Sequence, residues 1–256
     1  RRYYIFMKSI WITGASSGIG KALALKFANE GWQVAASARR EDLLNKIAES
    51  NKNISSFPLD VTDGEKCKEI FGKIKNKLQS IDICFFSTGT WDPKKEKEID
   101  IDQMKKVMNV NFFGTLNCIK AVEKYFREKN SGHISIVSSI AGYRGLPNST
   151  GYGASKAALN NLAESLYFDF GRNNVRVSLV SPGFIKTQMT DKNQFKMPFL
   201  KTAEYAADKI YKGLINGSSF EIDFPKELTL ILKFLKILPD SLYFKIIKKL
   251  TKYQKR

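Results

Sequence analysis

The pair of residues best suited to chemistry in this 256-residue sequence is Tyr152 and Lys156. Positions i and i+4 of a helix share one face, so both side chains can address a single site. A tyrosine ordinarily titrates near pH 10, which is too high for an efficient general base at neutral pH, but a nearby ammonium group favours the phenolate. Lowering the tyrosine pKa by about 3 requires roughly 4 kcal/mol of phenolate stabilisation. The pair predicts proton transfer, and because its spacing is common by chance, the prediction depends on companion residues.

A glycine-rich turn, Thr13-Gly14-Ala15-Ser16-Ser17-Gly18-Ile19-Gly20, follows the first apolar run. Glycines permit a tight turn and let the backbone approach a pyrophosphate, while the N-terminus of a following helix presents free N–H groups. Taken alone the turn also fits an ordinary strand–helix loop. Its place at the first strand-to-helix junction favours a phosphate site.

Short β-rich runs alternate with longer helical patterns, which predicts an α/β fold: a Rossmann-like, doubly wound, parallel seven-stranded sheet with helices on both faces. The expected strands are Ser9–Thr13, Gln33–Ala38, Ile54–Asp60, Ile81–Ser87, His133–Ser138, Val175–Ser181 and Phe220–Phe224. The expected helices are Lys21–Asn29, Glu41–Glu49, Gly64–Leu78, Ile101–Lys129, Ser155–Phe170 and Thr202–Asn216. In such a sheet the ligand lies beyond the carboxyl ends of the strands, where the strand order reverses.

The first turn and the Tyr152–Lys156 spacing together resemble the short-chain dehydrogenase/reductase (SDR) family, and the resemblance covers most of the chain. It implies an oxidoreductase that interconverts a carbonyl and an alcohol, with hydride passing between a nicotinamide and the substrate carbon. The alternative is a non-catalytic dinucleotide-binding sensor or scaffold, membrane-peripheral through a basic tail. A sensor would be expected to lose Tyr152, Lys156 or Ser139, and all three are present.

The resemblance assigns roles to the catalytic candidates. Tyr152 gives or takes the hydroxyl proton, while Lys156 holds the ribose and lowers the tyrosine pKa. Ser139, thirteen residues before Tyr152, positions the substrate oxygen. Ser138 is the neighbouring alternative, but the spacing and the following Ile-Ala-Gly favour Ser139.

Asn111 resembles the family asparagine that holds a water in the proton relay, and Asn109 is its rival. A polar residue within a long helix is often only a surface or packing feature. His133 opens a predicted strand, and we expect it to be structural.

The end of the second strand indicates the nucleotide preference. NAD-binding folds place an acid there for the ribose 2′-hydroxyl, whereas this chain has Ala38 followed by Arg39, whose guanidinium can grip a 2′-phosphate. We therefore expect NADP(H), with NAD(H) as the alternative. The competing interpretation is that Arg39 and Arg40 merely begin a solvated helix, and Ser17 adds no basic support.

The remaining cofactor contacts also come from the resemblance. Asp60-Val61 matches the family acid for the adenine amino group, although an N-cap is a competitor, more so at Asp63. Where the family has Asn-Asn-Ala-Gly, this chain has Phe86-Ser87-Thr88-Gly89, and the Ser87 hydroxyl is a candidate substitute for the lost asparagine. The predicted cofactor-binding set is Gly14, Ser16, Ser17, Gly18, Ile19, Gly20, Arg39, Asp60, Val61, Gly89, Tyr152, Lys156, Pro182, Gly183, Ile185 and Thr187.

Residues 184–200 follow a segment that resembles the family PGxxxT motif, and we expect them to form the substrate loop. The loop carries many apolar residues. They are equally consistent with binding a hydrophobic substrate and with packing the loop onto the protein: Phe184, Met189, Phe195, Met197, Phe199 and Leu200.

The segment 226–256 is predicted to be a basic helical tail behind a catalytic domain of residues 1–225, whose first six residues precede Met7 as an extension. The tail carries nine Lys/Arg and two acids. Residues 240–256 are predicted to form an amphipathic helix with an apolar stripe on one side and lysines on the other, which is typical of interfacial membrane helices. A helix that packs this stripe on its own domain or on a partner subunit is slightly favoured. The stripe comprises Tyr243, Ile246, Ile247, Leu250 and Tyr253.

The bulk composition narrows the remaining classes. Three dispersed cysteines and one histidine are not expected to form a metal cluster. The thiols are expected to be buried and reduced, as in a cytoplasmic protein. The net charge of +17 raises nucleic acid as a partner, but the clearest basic cluster is a terminal amphipathic helix and not a face with stacking aromatics, so no specific nucleic acid is expected. Family members are usually dimers or tetramers, which implies a homo-oligomer.

Overall fold

The computed structural model describes residues 8–92, 99–193 and 196–251. Within them seven parallel strands form one sheet, as predicted, and their order is β3-β2-β1-β4-β5-β6-β7. The strands are β1 (Ser9–Thr13), β2 (Gln33–Ala38), β3 (Ile54–Pro58), β4 (Ile83–Phe86), β5 (Gly132–Val137), β6 (Val175–Pro182) and β7 (Glu221–Phe224). The strand order reverses between β1 and β4, which places the expected ligand site at their carboxyl ends.

Helices cover both faces of the sheet, because the central strands are apolar on both sides. In β1, Ile10 and Ile12 belong to one hydrophobic core and Trp11 to the other. The helices are α1 (Gly18–Asn29), α2 (Glu41–Ser50), α3 (Gly64–Leu78), α4 (Ile101–Met108), α5 (Gly114–Lys129), α6 (Thr150–Gly171), α7 (Ala203–Ile215), α8 (Lys226–Lys236) and α9 (Asp240–Leu250).

The predicted helix Ile101–Lys129 is not continuous: a π-helical turn, Asn109–Phe113, separates α4 from α5. The helix expected at Ser155–Phe170 begins earlier, at Thr150, so Tyr152 and Lys156 share the first turns of α6. The other boundaries differ from prediction by a few residues at the element ends, which are the positions that fray most easily.

The tail helices pack on the chain's own domain. Tyr243 and Ile247 of α9 are buried, and the Tyr243 hydroxyl donates to the Gly145 carbonyl at 2.8 Å. Arg144 donates to the Leu238 carbonyl at 2.8 Å, and its guanidinium lies 3.9 Å from the centroid of the Tyr243 ring. The apolar stripe predicted for a membrane interface is thus turned largely inward, which is the packing alternative.

Several predictions fall on residues 1–7, on Phe195 and on Tyr253, which lie outside the described residues. Within the described part of the chain, no helix combines the length and apolarity needed to cross a bilayer.

Candidate active site

A cleft of about 520 Å³ lies where the strand order reverses. It gathers residues that are widely separated in the sequence, from the turn after β1 to the segment after β6. Every residue of the predicted cofactor-binding set lines it, and so does Ser139. Asn111 is absent from the lining. Residues that line the cleft but were not in the predicted set include Arg40, Leu59, Ser87, Gln188 and Met189.

The glycine-rich turn is shaped by close backbone packing. Gly14 has a φ of +71°, and a Cβ atom there would lie 3.0 Å from the backbone of Ser87. A Cβ atom at Gly20 would lie 2.4 Å from the Gly14 carbonyl oxygen. Larger residues at either position would push the turn out of the cleft. The turn therefore leaves the N-terminus of α1 open to a phosphate group.

The first turn of α1 has no side-chain cap, because the hydroxyl of its N-cap residue, Ser17, is engaged elsewhere. Arg40 donates to the Ser17 hydroxyl at 2.8 Å and to the Ser16 hydroxyl at 3.0 Å. It also reaches Gln188 across the cleft, at 3.3 Å. A guanidinium and open helical N–H groups at one end of the cleft are the donors that phosphate oxygens need, so the residues present fit a dinucleotide. Of the two arginines after β2, Arg40 makes these contacts, and the sequence prediction had selected only Arg39.

The catalytic candidates converge at the other end of the cleft. A hydrogen bond joins the Ser139 hydroxyl to Tyr152, and the Lys156 Nζ atom lies 5.6 Å from the centroid of the tyrosine ring. Lys156 is buried and donates to the Val137 carbonyl at 2.9 Å. The Ser138 hydroxyl donates to the Lys156 carbonyl oxygen at 3.0 Å. Ser139 is therefore the serine whose hydroxyl is directed at the tyrosine.

Burial dominates the protonation behaviour of this pair. Burial raises the pKa of Tyr152, and the Ser139 hydrogen bond only partly opposes that rise. Burial also lowers the pKa of Lys156 to about 8, and its ammonium is directed at a backbone carbonyl. Burial is the largest cause at both groups, and the lowering of the tyrosine pKa by Lys156 together with an oxidised nicotinamide stays a prediction.

Asn111 sits behind the cleft within the π-helical turn and is fully buried. Its amide oxygen accepts from the Thr90 N–H at 2.7 Å, and its amide nitrogen donates to the Thr90 carbonyl and to the Ser155 hydroxyl. A Cβ atom at Gly89 would lie 3.6 Å from the Asn111 amide oxygen and 3.7 Å from Lys156 Nζ. Asn111 thus clamps the loop after β4 against α6, close to the lysine. π-turns of this kind often occur at functional sites.

Ser87 lies where the chain departs from the family sequence Asn-Asn-Ala-Gly, and it makes two hydrogen bonds to Thr13. The Ser87 hydroxyl donates to the Thr13 carbonyl at 2.6 Å, and the Ser87 N–H donates to the Thr13 hydroxyl at 3.2 Å. These bonds join the ends of β4 and β1, as the interpretation of Ser87 supposed. Two residues beyond Gly89, Trp91 packs its indole 5.4 Å from the Tyr152 ring, a contact that the sequence did not indicate.

The remaining candidates divide between the cleft and structural roles. Asp60 lines the cleft, but its carboxylate also accepts from the Thr62 N–H and hydroxyl, whereas Asp63 caps α3. Thr187 lies over the glycine turn, since a Cβ atom at Gly18 would be 3.0 Å from its methyl group.

His133 and the cysteines lie away from the chemistry. His133 is buried in the sheet against Ser178 at 2.8 Å, and burial lowers its pKa to about 3. Cys67, Cys84 and Cys118 are buried and unbridged. Among the described residues no group of His, Cys, Asp and Glu could hold a metal ion.

Comparison with known proteins identifies the family. A family model described as short chain dehydrogenase matches residues 8–197. An uncharacterized oxidoreductase of Myxococcus xanthus is 32% identical over 236 residues, which cover 91% of this chain and 93% of the relative. The chain belongs to the short-chain dehydrogenase family. This short-chain dehydrogenase is an NAD(P)-dependent oxidoreductase, and its family implies a small-molecule carbonyl or alcohol substrate.

Other relatives of this short-chain dehydrogenase have more specific names. The 3-oxoacyl-(acyl-carrier-protein) reductase FabG of Thermotoga maritima is 37% identical over 185 residues, covering 71% of this chain and 75% of the relative. A solved structure, ElxO with NADP bound, has a TM-score of 0.74 at 30% identity and covers 85% of this chain and 97% of that one. A short-chain dehydrogenase from Streptomyces avermitilis, 21% identical with a TM-score of 0.80, shares the fold over 98% of this chain and all of its own.

Proposed function

We propose that this short-chain dehydrogenase interconverts a carbonyl and an alcohol on a small apolar substrate, with NADP(H) as its preferred cofactor and Tyr152 as the proton-transfer residue. The observation that carries the proposal is the convergence of Ser139, Tyr152 and Lys156 at one end of a cleft whose other end fits a dinucleotide. When bound, the nicotinamide supplies or accepts the hydride. All other steps belong to the chain.

The chain's residues divide the remaining work. Ser139 and Tyr152 present two adjacent hydroxyls to the substrate oxygen, and because the tyrosine pKa is raised, Tyr152 holds a proton to donate during reduction. Lys156 lines the same cleft and would hold the ribose hydroxyls that the family resemblance assigns to it. Asn111 fixes the loop beside them, and the water relay that the resemblance assigns to it stays a prediction.

Preference for NADP(H) is supported by the basic end of the cleft. Arg39 and Arg40 both line it, and no acid follows β2 before them. Arg40 is already held by the Ser16 and Ser17 hydroxyls, so it needs little reordering to meet a 2′-phosphate. The solved structure of the related protein ElxO, which has NADP bound, supports the same preference.

An apolar substrate is supported by the loop after β6. The backbone of Ile185 pairs with Lys201 and closes the loop at its base. Met189 lines the cleft, while Phe199 and Leu200 remain more than two-fifths exposed and are not packed down. Exposed apolar side chains beside a cleft suit an apolar ligand.

Self-association and a cytoplasmic location complete the proposal. The exposed side chains of Phe113, Tyr167 and Phe168 give an apolar surface on which a second copy of the chain would pack. Buried, unbridged cysteines agree with a reducing compartment.

The test uses Tyr152→Phe, which removes the hydroxyl and keeps the ring. With NADPH and a panel of hydrophobic ketones, the wild-type protein should oxidise NADPH and the variant should lose at least about 100-fold in kcat, the lower range for general acid catalysis. Nicotinamide fluorescence should show equal NADPH binding by both proteins.

Two outcomes would contradict the proposal. If neither protein turned over any ketone or alcohol although both bound NADPH, the chain would be a dinucleotide-binding sensor or scaffold. If Tyr152→Phe retained full activity, the proton would come from another group. Ser165→Ala, which removes a hydroxyl from the exposed side of α6, is the matched control and should behave as wild type.

A further inference from the structure

Exposed apolar side chains are concentrated on the two tail helices. The described residues include fourteen large hydrophobic residues with exposed side chains, and seven of them lie in the 25 residues from 226 to 250. Scattered exposed apolar residues are normal on a protein surface, but a contiguous patch marks a surface that meets another apolar partner. The seven are Leu230, Ile231, Phe234, Ile237, Leu242, Phe244 and Leu250.

Helix α8 is apolar on two opposite sides. Its inner side is buried on the domain through Leu228, Thr229 and Leu235, and a Cβ atom at Gly183 would lie 3.0 Å from Leu228 Cδ2. Its outer side carries the four residues spaced i, i+1, i+4 and i+7, which share one helical face. We call this the outer face of α8, and its side chains are 47–77% exposed: Leu230, Ile231, Phe234 and Ile237.

The outer face of α8 differs from the stripe predicted on α9. In α9 the apolar residues Tyr243 and Ile247 are already covered by the chain itself. Nothing among the described residues covers the outer face of α8 in the same way. Leu242 and Phe244, at the start of α9, are also exposed.

Unpaired positive charge lies on the same two helices. Lys236, Lys245, Lys248 and Lys249 are exposed and make no ion pair with any residue that the structure describes. The inner lysines of α8 behave differently, since Lys233 contacts Glu221 and Asp223. The exposed amines are therefore free to attract an anionic surface.

We propose that the outer face of α8, with Leu242 and Phe244, docks on an anionic lipid surface. Apolar side chains enter the boundary between headgroups and acyl chains, while flanking lysines contact anionic headgroups. A second copy of the chain suits the same patch poorly, because two such faces would bring unpaired lysines together in a protein of net charge +17. This inference does not depend on the reaction proposed above.

The test is co-sedimentation of the full chain with vesicles, either phosphatidylcholine alone or phosphatidylcholine with about 30% phosphatidylglycerol. We expect binding to the anionic vesicles to be at least about tenfold tighter and to weaken as salt rises. The double substitution Phe234→Ser with Ile237→Ser should reduce the partition coefficient at least about tenfold. NADPH titration of the same preparation verifies the fold and reads the dinucleotide site separately.

Ile101→Ser is the matched control, because Ile101 is 63% exposed on α4 and Phe234 is 60% exposed on α8. It should leave vesicle binding unchanged. The proposal is overturned if the wild-type protein binds neither vesicle, or if both substitutions reduce binding equally. It is also overturned if the α8 variant changes from a dimer to a monomer by light scattering while vesicle binding stays the same, since the occupant would then be a second copy.

Discussion

At the scale of single residues, Arg40 has the most informative set of contacts. It reaches two hydroxyls of the first turn and Gln188 of the loop after β6, so one guanidinium connects two walls of the cleft. The sequence predicted a phosphate-binding role for Arg39, which also lines the cleft. Residue type and spacing could not predict the contacts of Arg40, because they depend on the path of the backbone after β2.

We expect Arg40→Ala to weaken NADPH binding about 10- to 100-fold, which corresponds to the roughly 1.5–3 kcal/mol of a hydrogen bond to a charged group. NADH binding should change less than about threefold, because NADH lacks the phosphate that the guanidinium would hold. Fluorescence titration with both nucleotides measures the two effects. Arg39→Ala, tested in parallel, separates the adjacent arginines, and an equal loss for NADPH and NADH would refute a phosphate role for Arg40.

The buried amine of Lys156 should leave a signature in the pH dependence of stability. Its pKa is lowered to about 8 in the folded chain from an ordinary value near 10.5, so between these values the unfolded chain binds more protons. The free energy of unfolding should therefore rise with pH in this window, by about 2 kcal/mol from pH 8 to 9.5. Below pH 8 the destabilisation is fully present.

Urea unfolding of wild type and Lys156→Met at several pH values measures this contribution. The difference in unfolding free energy between the two proteins should shift in favour of the wild type as pH rises from 8 to 9.5. The exposed Lys124→Met serves as control and should follow the wild-type profile. A pH-independent difference for Lys156→Met would mean that the amine is not desolvated in the folded protein.

At the scale of elements, the strands and the order of motifs could be predicted because each leaves a local pattern. All seven strands and most helices were identified from the alternation of apolar runs and helical periodicity. The π-helical turn at Asn109–Phe113 could not be predicted, because helical periodicity continues through it. Its shape depends on the Asn111 clamp on Thr90, a contact between segments that the sequence does not place together.

The junction between β1 and β4 is a second such feature. The sequence predicted only that the Ser87 hydroxyl was a candidate substitute for the family asparagine there. We expect Ser87→Ala to lower the free energy of unfolding by about 1 kcal/mol, since it removes the hydrogen bond to the Thr13 carbonyl. For a domain of this size the melting temperature should fall by about 2–4 °C, measured by calorimetry.

Thr251→Ala is a suitable control for that loss. Its hydroxyl bonds to the Ile247 carbonyl at the end of α9, where a helix end frays most easily. If Thr251→Ala lowered the melting temperature as much as Ser87→Ala, the hydrogen bond at the strand junction would contribute no more to stability than one at a frayed helix end.

At the scale of the whole molecule, the predicted boundary near Pro225 coincides with the start of α8. Composition predicted a separate basic tail, and its helices pack on the preceding part of the chain through Leu228, Tyr243 and Ile247. Composition cannot reveal such packing, because each contact joins residues far apart in the chain. The sequence also could not decide which side of the tail remains exposed.

The bond between Tyr243 and the Gly145 carbonyl joins residues 98 positions apart, and it carries a consequence for synthesis. Gly145 lies in the connection between Ser139 and Tyr152, so the segment that joins these two proposed catalytic residues is secured by a helix made much later. Ribosomes add about 5–20 residues per second. For roughly 5–20 seconds after Gly145 is added, the segment between Ser139 and Tyr152 therefore lacks this hydrogen bond to α9.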